Sequence, residues 1–139
     1  MADRNADAAA SIQPSVRADA AAFARSFPAA VPILIDAEAG VRLRAASTSD
    51  LPAMVEQCRD PEMIRWTTVP TPEGGYQLRD AEEFLASTAA GWNSGERLGW
   101  TIEARRGGQR GFCGTIDLRP EGDGIAEVGF GLHPEARGR

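Results

Sequence analysis

Lysine is absent: all 15 basic side chains of the 139-residue chain are arginines. Schiff-base and lysine-nucleophile mechanisms are therefore excluded. Histidine occurs once, at His133, so a Ser-His-Asp or Cys-His mechanism would have to run through that single imidazole. The two cysteines, Cys58 and Cys113, are far apart and belong to no Cys-x-x-Cys pair, which argues against structural zinc; no metal is expected. They read as core thiols in a reducing compartment rather than as a disulfide. Surplus positive charge is also missing, with 20 acidic side chains against 15 basic ones and a net charge of −5. Neither nucleic acid nor an anionic membrane is expected as a partner, because both are held by clustered cations. No stretch approaches the roughly 20 apolar residues needed to span a bilayer. The start of the chain is Ala-rich and carries Asp3 and Asp7, unlike a secretory signal. The expected location is the cytoplasm.

What is present is ordinary for one globular domain, 42% hydrophobic and 25% charged. Residues 1–30 are Ala-rich and weakly patterned and read as a flexible leader, with a short helix over 16–27 as an alternative. The domain proper is expected over 31–139. Ile33 to Ile35 form a short apolar run, and Val41, Leu43 and Ala45 alternate with Arg42 and Arg44, so two strands are predicted around a turn at 36–40. Leu51, Met54, Val55 and Cys58 follow a cluster of capping residues at helical spacing. Asp60-Pro61 restarts the chain toward Trp66, and the Pro- and Gly-rich stretch after it reads as a loop open to ligand. A stronger helix carries Ala81, Phe84, Leu85, Thr88 and Trp92 on one face, with an acidic first turn and a fraying end at Gly91 and Gly95. Three strands in meander order close the chain, with turns at 105–108 and 120–124. In the last strand Ala126, Val128, Phe130 and Leu132 share an apolar face, while Glu127, Gly129, Gly131 and His133 point the other way. Asp117 reads as a solvated side chain.

After that strand the chain reads His133-Pro134-Glu135-Ala136-Arg137-Gly138-Arg139. This resembles the GNAT acetyltransferase family, in which the central strand runs into a loop of the form Arg/Gln-x-x-Gly-x-Gly/Ala and then a helix. Arg137, Gly138 and Arg139 stand at the first three positions of that loop. Val41-Arg42-Leu43-Arg44 with Ser49-Asp50-Leu51 is similar to the family's opening strand and helix. Asp60-Pro61-Glu62 with Trp66, the Asp80 to Leu85 helix and Ala126 to Pro134 resemble its RimJ/RimL-like branch. One departure is Gly131, where that branch usually has an aromatic residue; the change would widen the acyl pocket or alter strand packing.

The resemblance implies an α+β, GNAT-like fold: a mixed, mainly antiparallel sheet with flanking helices, truncated after the central strand. It implies acetyl transfer from acetyl-CoA to a primary amine, at a protein N-terminus or on a small molecule. The backbone of Phe130, Gly131, Leu132 and His133 would pair with the pantetheine arm, and Arg137, Gly138 and Arg139 would begin the pyrophosphate cradle, since backbone amides and close glycine approach suit an anion. Glu127 is the candidate general base, against the plainer reading of a Glu on a polar strand face. His133 is the other candidate base, against a structural role. Trp66 and Tyr76 would wall the acceptor site. With the second half of the family pattern missing, the face around Val128, Phe130 and Leu132 is expected to be uncovered and the last strand to be an open edge. Marginal stability and self-association are the expected consequences. The alternative function is an inactive fragment, or an interaction module that binds another protein through that edge.

Overall fold

Period-two alternation and well-placed caps give the chain order β1 (Leu34–Asp36), β2 (Val41–Arg44), a 3-10 turn (Thr48–Asp50), α1 (Leu51–Arg59), α2 (Pro61–Trp66), α3 (Leu78–Ser94), β3 (Leu98–Arg106), β4 (Gln109–Gly122), β5 (Ile125–Leu132) and a closing 3-10 turn (Pro134–Ala136). The computed structural model describes residues 31–138; the expected leader over 1–30, its alternative helix and Arg139 lie outside the described residues. The strands form one five-stranded sheet in chain order, with every pairing antiparallel. The α+β architecture expected from the sequence is the one found.

Local chemistry explains the helices. Pro52 sits in the first turn of α1, where no amide proton is needed. The Asp60 side chain caps α2 by accepting from the Met63 amide at 2.9 Å. Asp80 caps α3 by accepting from the Gln77 amide at 2.7 Å. α3 ends at Gly95, whose φ of 78° is left-handed. The helix does not fray at Gly91, contrary to the sequence reading. Gly91 lies inside α3 because the chain crosses it closely: a Cβ there would stand 2.6 Å from the Arg97 carbonyl oxygen. β4 likewise runs on through Pro120 to Gly122, past the expected turn, because a register shift between Pro120 and Gly122 lets the ladder tolerate proline.

Two apolar clusters hold the layers together. Leu51, Met54, Tyr76 and Ala81 are buried together, with Phe84, Leu85 and Phe112 packed against them. Trp92 meets Trp100 edge-on at 4.9 Å, and its indole N–H donates to the Gly99 carbonyl at 2.7 Å. The apolar run at Ile33, Leu34 and Ile35 is exposed, although β1 forms.

A buried carboxylate joins the sheet to the start of α1. Asp50 is 3% exposed and accepts from both Arg44 Nη atoms at 2.7 and 2.8 Å. It also accepts from the Ser47 amide at 2.9 Å and from the Thr101 hydroxyl at 3.1 Å. Glu103 pairs with Arg42 and Arg44 from the next strand. Burial pushes the Asp50 carboxyl up, but the hydrogen bonds from Arg44, Ser47 and Thr101 outweigh it and hold it below the ordinary carboxylate range. Glu103 behaves alike, with Arg42 and Arg44 outweighing burial.

Both folded values are depressed, so their stabilisation is present above the unfolded value of about 4 and is lost as pH falls below it. Urea denaturation is expected to show stability declining from about pH 4 downward. Asp50→Ala is expected to cost about 3 kcal/mol at pH 7, because it strands buried partners of a charge network.

Candidate functional site

The sheet's helical side opens into a cavity of about 610 Å³ where β5 loses its side chains. Glu127, Gly129 and Gly131 lie on that face of β5, so two of the three positions carry no side chain. Met54, Gln57 and Cys58 of α1 and Met63 and Trp66 of α2 form one wall. The loop 67–70, Tyr76 and Phe84 form another, and Thr115, Asp117 and Arg119 of β4 complete the floor. The space beside Gly131 is filled from the helical layer. A Cβ on Gly131 would stand 2.3 Å from Met63 Cε and 3.1 Å from Gln57 Nε2, so two side chains from the helical layer reach over the strand into the space that Gly131 leaves.

At the far end of the floor lies a charge cluster. Arg97 donates to Asp117 from Nε at 2.8 Å and pairs through Nη2 at 2.6 Å, and its guanidinium lies 4.8 Å above the Phe84 ring. Arg119 holds the other Asp117 oxygen at 3.1 Å and reaches Glu127 at 3.3 Å. Asp117 is thus 8% exposed and doubly paired, which corrects the expectation of a solvated side chain. Gly129 makes this possible: a Cβ there would stand 2.6 Å from Arg119 Nη2. Glu127 borders the cavity with its side chain 54% exposed.

The open side of β5 carries the expected cofactor-binding backbone. The His133 amide donates to the Cys113 carbonyl at 2.8 Å, and antiparallel alternation from that point turns Gly131 and Gly129 toward β4 as well. This corrects the expectation that all four residues from Phe130 to His133 offer backbone to a ligand: Phe130 and Leu132 face outward, Gly131 and His133 do not. The Leu132 carbonyl is already taken, accepting from Arg137 Nε and Nη2 at 3.2 and 3.0 Å. Arg137 also pairs with Asp60 at 2.8 Å. Its guanidinium therefore staples the chain after β5 to the cap of α2 rather than lying free in a cradle. Hydrogen bonds from Arg137 and the Met63 amide hold the Asp60 carboxyl below its usual range. Gly138 follows at a φ of 69°, and Arg139 lies outside the described residues. His133 is buried; its Nδ1 accepts from the Glu135 amide at 3.3 Å and its Nε2 lies 3.1 Å from Glu56. Those contacts are structural.

Tyr76 and Trp66 both line the cavity but differ in kind. Tyr76 is buried, and burial with the neighbouring Cys58 pushes its phenol above the ordinary range. Burial also raises the Cys58 thiol, which opposes a nucleophilic role. Trp66 is 70% exposed, with its indole N–H on Glu62 at 2.8 Å and Arg65 over its ring. Gln57 and Met63 were not singled out by the sequence. The buried face of α1 runs through Leu51, Met54 and Gln57, and a polar residue on that i, i+3, i+6 line was the available signal.

The family model for the acetyltransferase (GNAT) domain matches residues 41–139. The chain belongs to the GNAT acetyltransferase family. Among solved structures it is similar to a Vibrio cholerae protein assigned as a ribosomal-protein-serine acetyltransferase, at 16% identity and a TM-score of 0.57 over 75% of this chain and 56% of that one. It is also similar to RimL, a ribosomal α-N-protein acetyltransferase solved with coenzyme A, at 15% identity and a TM-score of 0.55 over 78% and 58%. A spermidine N-acetyltransferase chimera derived in part from Vibrio cholerae gives 16% identity and a TM-score of 0.50 over 71% and 54%. This GNAT domain thus spans little more than half the length of the structures it matches. No curated protein matches the chain in sequence.

Gly114 of β4 and Gly131 of β5, one step out of register with each other, differ in what they tolerate. Gly114 has a φ of 153°, and a Cβ there would stand 2.1 Å from the Gly131 carbonyl oxygen, a backbone atom. Gly131 is crowded only by the ends of Met63 and Gln57. In denaturant titrations Gly114→Ala is expected to cost about 3 kcal/mol or more, and Gly131→Ala no more than about 1.5 kcal/mol. Equal costs would contradict this account of the floor.

Proposed function

We propose that this GNAT domain transfers an acetyl group from acetyl-CoA to a primary amine held in the cavity between α1, α2 and β5. The observation that carries the reading is that the cavity floor and the open edge belong to the same strand. Glu127, Gly129 and Gly131 face the cavity, while the backbone of Phe130 faces outward, a geometry suited to strand-like pairing with the amides of a pantetheine arm. Acetyl-CoA supplies an activated thioester. The Phe130 N–H and carbonyl and the Leu132 N–H would hold the arm. Matches to proteins named for acetylating a ribosomal protein and spermidine support a primary amine as acceptor. Trp66 and Tyr76 would flank it. Glu127, with Arg119 on one carboxylate oxygen, would take the proton of the amine, directly or through water.

Calorimetric titration of the chain with acetyl-CoA is expected to give saturable binding. Phe130→Pro, which deletes an outward amide and leaves the ladder to β4 intact, is expected to weaken that binding by about tenfold. A folded sample that takes up no acetyl-CoA would overturn the reading.

Glu127→Gln is expected to lower acetyl transfer at pH 7 by roughly 100-fold or more, the scale of a lost general base, with acetyl-CoA affinity unchanged. Unchanged turnover would remove Glu127 from the mechanism.

A second reading rests on Val128 and Phe130, which are 54% and 69% exposed on the apolar face of β5. It is an interaction module that adds another chain's strand to this edge. Such a partner would compete with acetyl-CoA for the Phe130 backbone.

A further inference from the structure

We propose that the Gln57 carboxamide holds the amine that is to be acetylated, serving as a neutral hydrogen-bond acceptor; the inference rests on the acetyl-transfer reading above. Gln57 is 2% exposed, and its Oε1 is the one buried side-chain polar atom without a hydrogen-bond partner among the described residues. Buried acceptors are almost always paired, because leaving one bare forfeits its hydration for nothing. Gln57 lines the cavity, and a half-turn of its carboxamide brings Oε1 to the position that Nε2 holds over β5, where a donor arriving with a ligand would satisfy it.

Its location selects the donor. The carboxamide lies over β5, with Nε2 3.1 Å from where a Cβ of Gly131 would be. That is beside the edge where the thioester would lie. The amides of a pantetheine arm find partners on the backbone of β5, whereas the N–H of an amine inside the cavity does not. Asp117 is committed to Arg97 and Arg119, and Glu127, with Arg119 on one oxygen, is the group assigned to take the proton rather than to hold the nitrogen.

Neutrality has a chemical consequence. A carboxylate a few ångströms from an amine stabilises the ammonium form and keeps the lone pair protonated. A carboxamide oxygen accepts the same N–H without that penalty. Gln57 thereby orients the nitrogen while leaving it free to lose its proton to Glu127 or water. It acts as a binding and positioning group, not as a base.

The test uses n-butylamine, a minimal primary amine, titrated calorimetrically into the full chain saturated with coenzyme A. Gln57→Leu is expected to weaken n-butylamine binding by about tenfold, the worth of one hydrogen bond, and to leave coenzyme A affinity within about twofold. Because the substitution removes an unpaired buried polar group, the Tm is expected to stay level or rise. Gln57→Glu is expected to shift the pH profile of acetyl transfer to n-butylamine toward higher pH. A parent that binds coenzyme A but not n-butylamine overturns the inference alone, as does a Gln57→Leu variant that binds the amine like the parent. A variant that loses coenzyme A affinity instead, or whose Tm drops, also overturns it and assigns Gln57 to the cofactor or to packing. A parent that binds no coenzyme A overturns the acetyl-transfer reading, and this inference with it.

Discussion

The site follows from one steric constraint, the lack of a Cβ at Gly129 and Gly131. A sheet face covered by helices is normally filled by side chains at native packing density. On β5 two successive positions on the covered face contribute none, and the volume they release is used in two ways. Over Gly129, Arg119 lies flat across the strand and links Asp117 to Glu127. Over Gly131, Met63 and Gln57 reach in from the helical layer. The remainder is the cavity, and its floor is backbone whose neighbouring residue, Phe130, faces the open edge.

Two β5 positions without side chains contribute little packing, so the layers need other fastenings. Two arginine–carboxylate clusters on the helical side supply them: Arg42, Arg44, Asp50 and Glu103 at one place, Arg97, Arg119, Asp117 and Glu127 at the other. Both depend on arginine chemistry. Arg44 grips both oxygens of Asp50 while its Nε serves Glu103, a fork that a lysine ammonium could not reproduce. The all-arginine composition is thus used structurally. Arg137, bridging Leu132 and Asp60, is a further staple and ties the chain after β5 to α2.

Much of this GNAT architecture was legible because it rests on local patterns. Alternation marked β2 to β5, and caps such as Asp60 and Asp80 stood where helices needed them. The pattern misled where charge was turned inward. Asp117 alternates with apolar residues as a solvent-facing side chain does. Its burial is set by Arg97, a partner 20 residues away that no local window contains. Gly91 and Pro120 were read as breaks because each is one in isolation, whereas a crossing carbonyl and a register shift accommodate them. Glu127, Gly131, Trp66 and Tyr76, which motif and strand face pick out, line the cavity. Gln57 was missed because its significance is a missing hydrogen bond, a property of three-dimensional surroundings.

If acetyl-CoA pairs with the outward backbone of β5, as proposed, the amides of that strand report it. Residue-resolved amide hydrogen exchange, with and without coenzyme A, tests it most directly. The amides of Gly129, Gly131 and His133, bonded to β4, are expected to be protected in both states. Those of Phe130 and Leu132 are expected to exchange rapidly in the free chain and to become protected on adding coenzyme A. Phe130 and Leu132 amides that exchange at the same rate in both states, with coenzyme A demonstrably bound, would contradict that pairing.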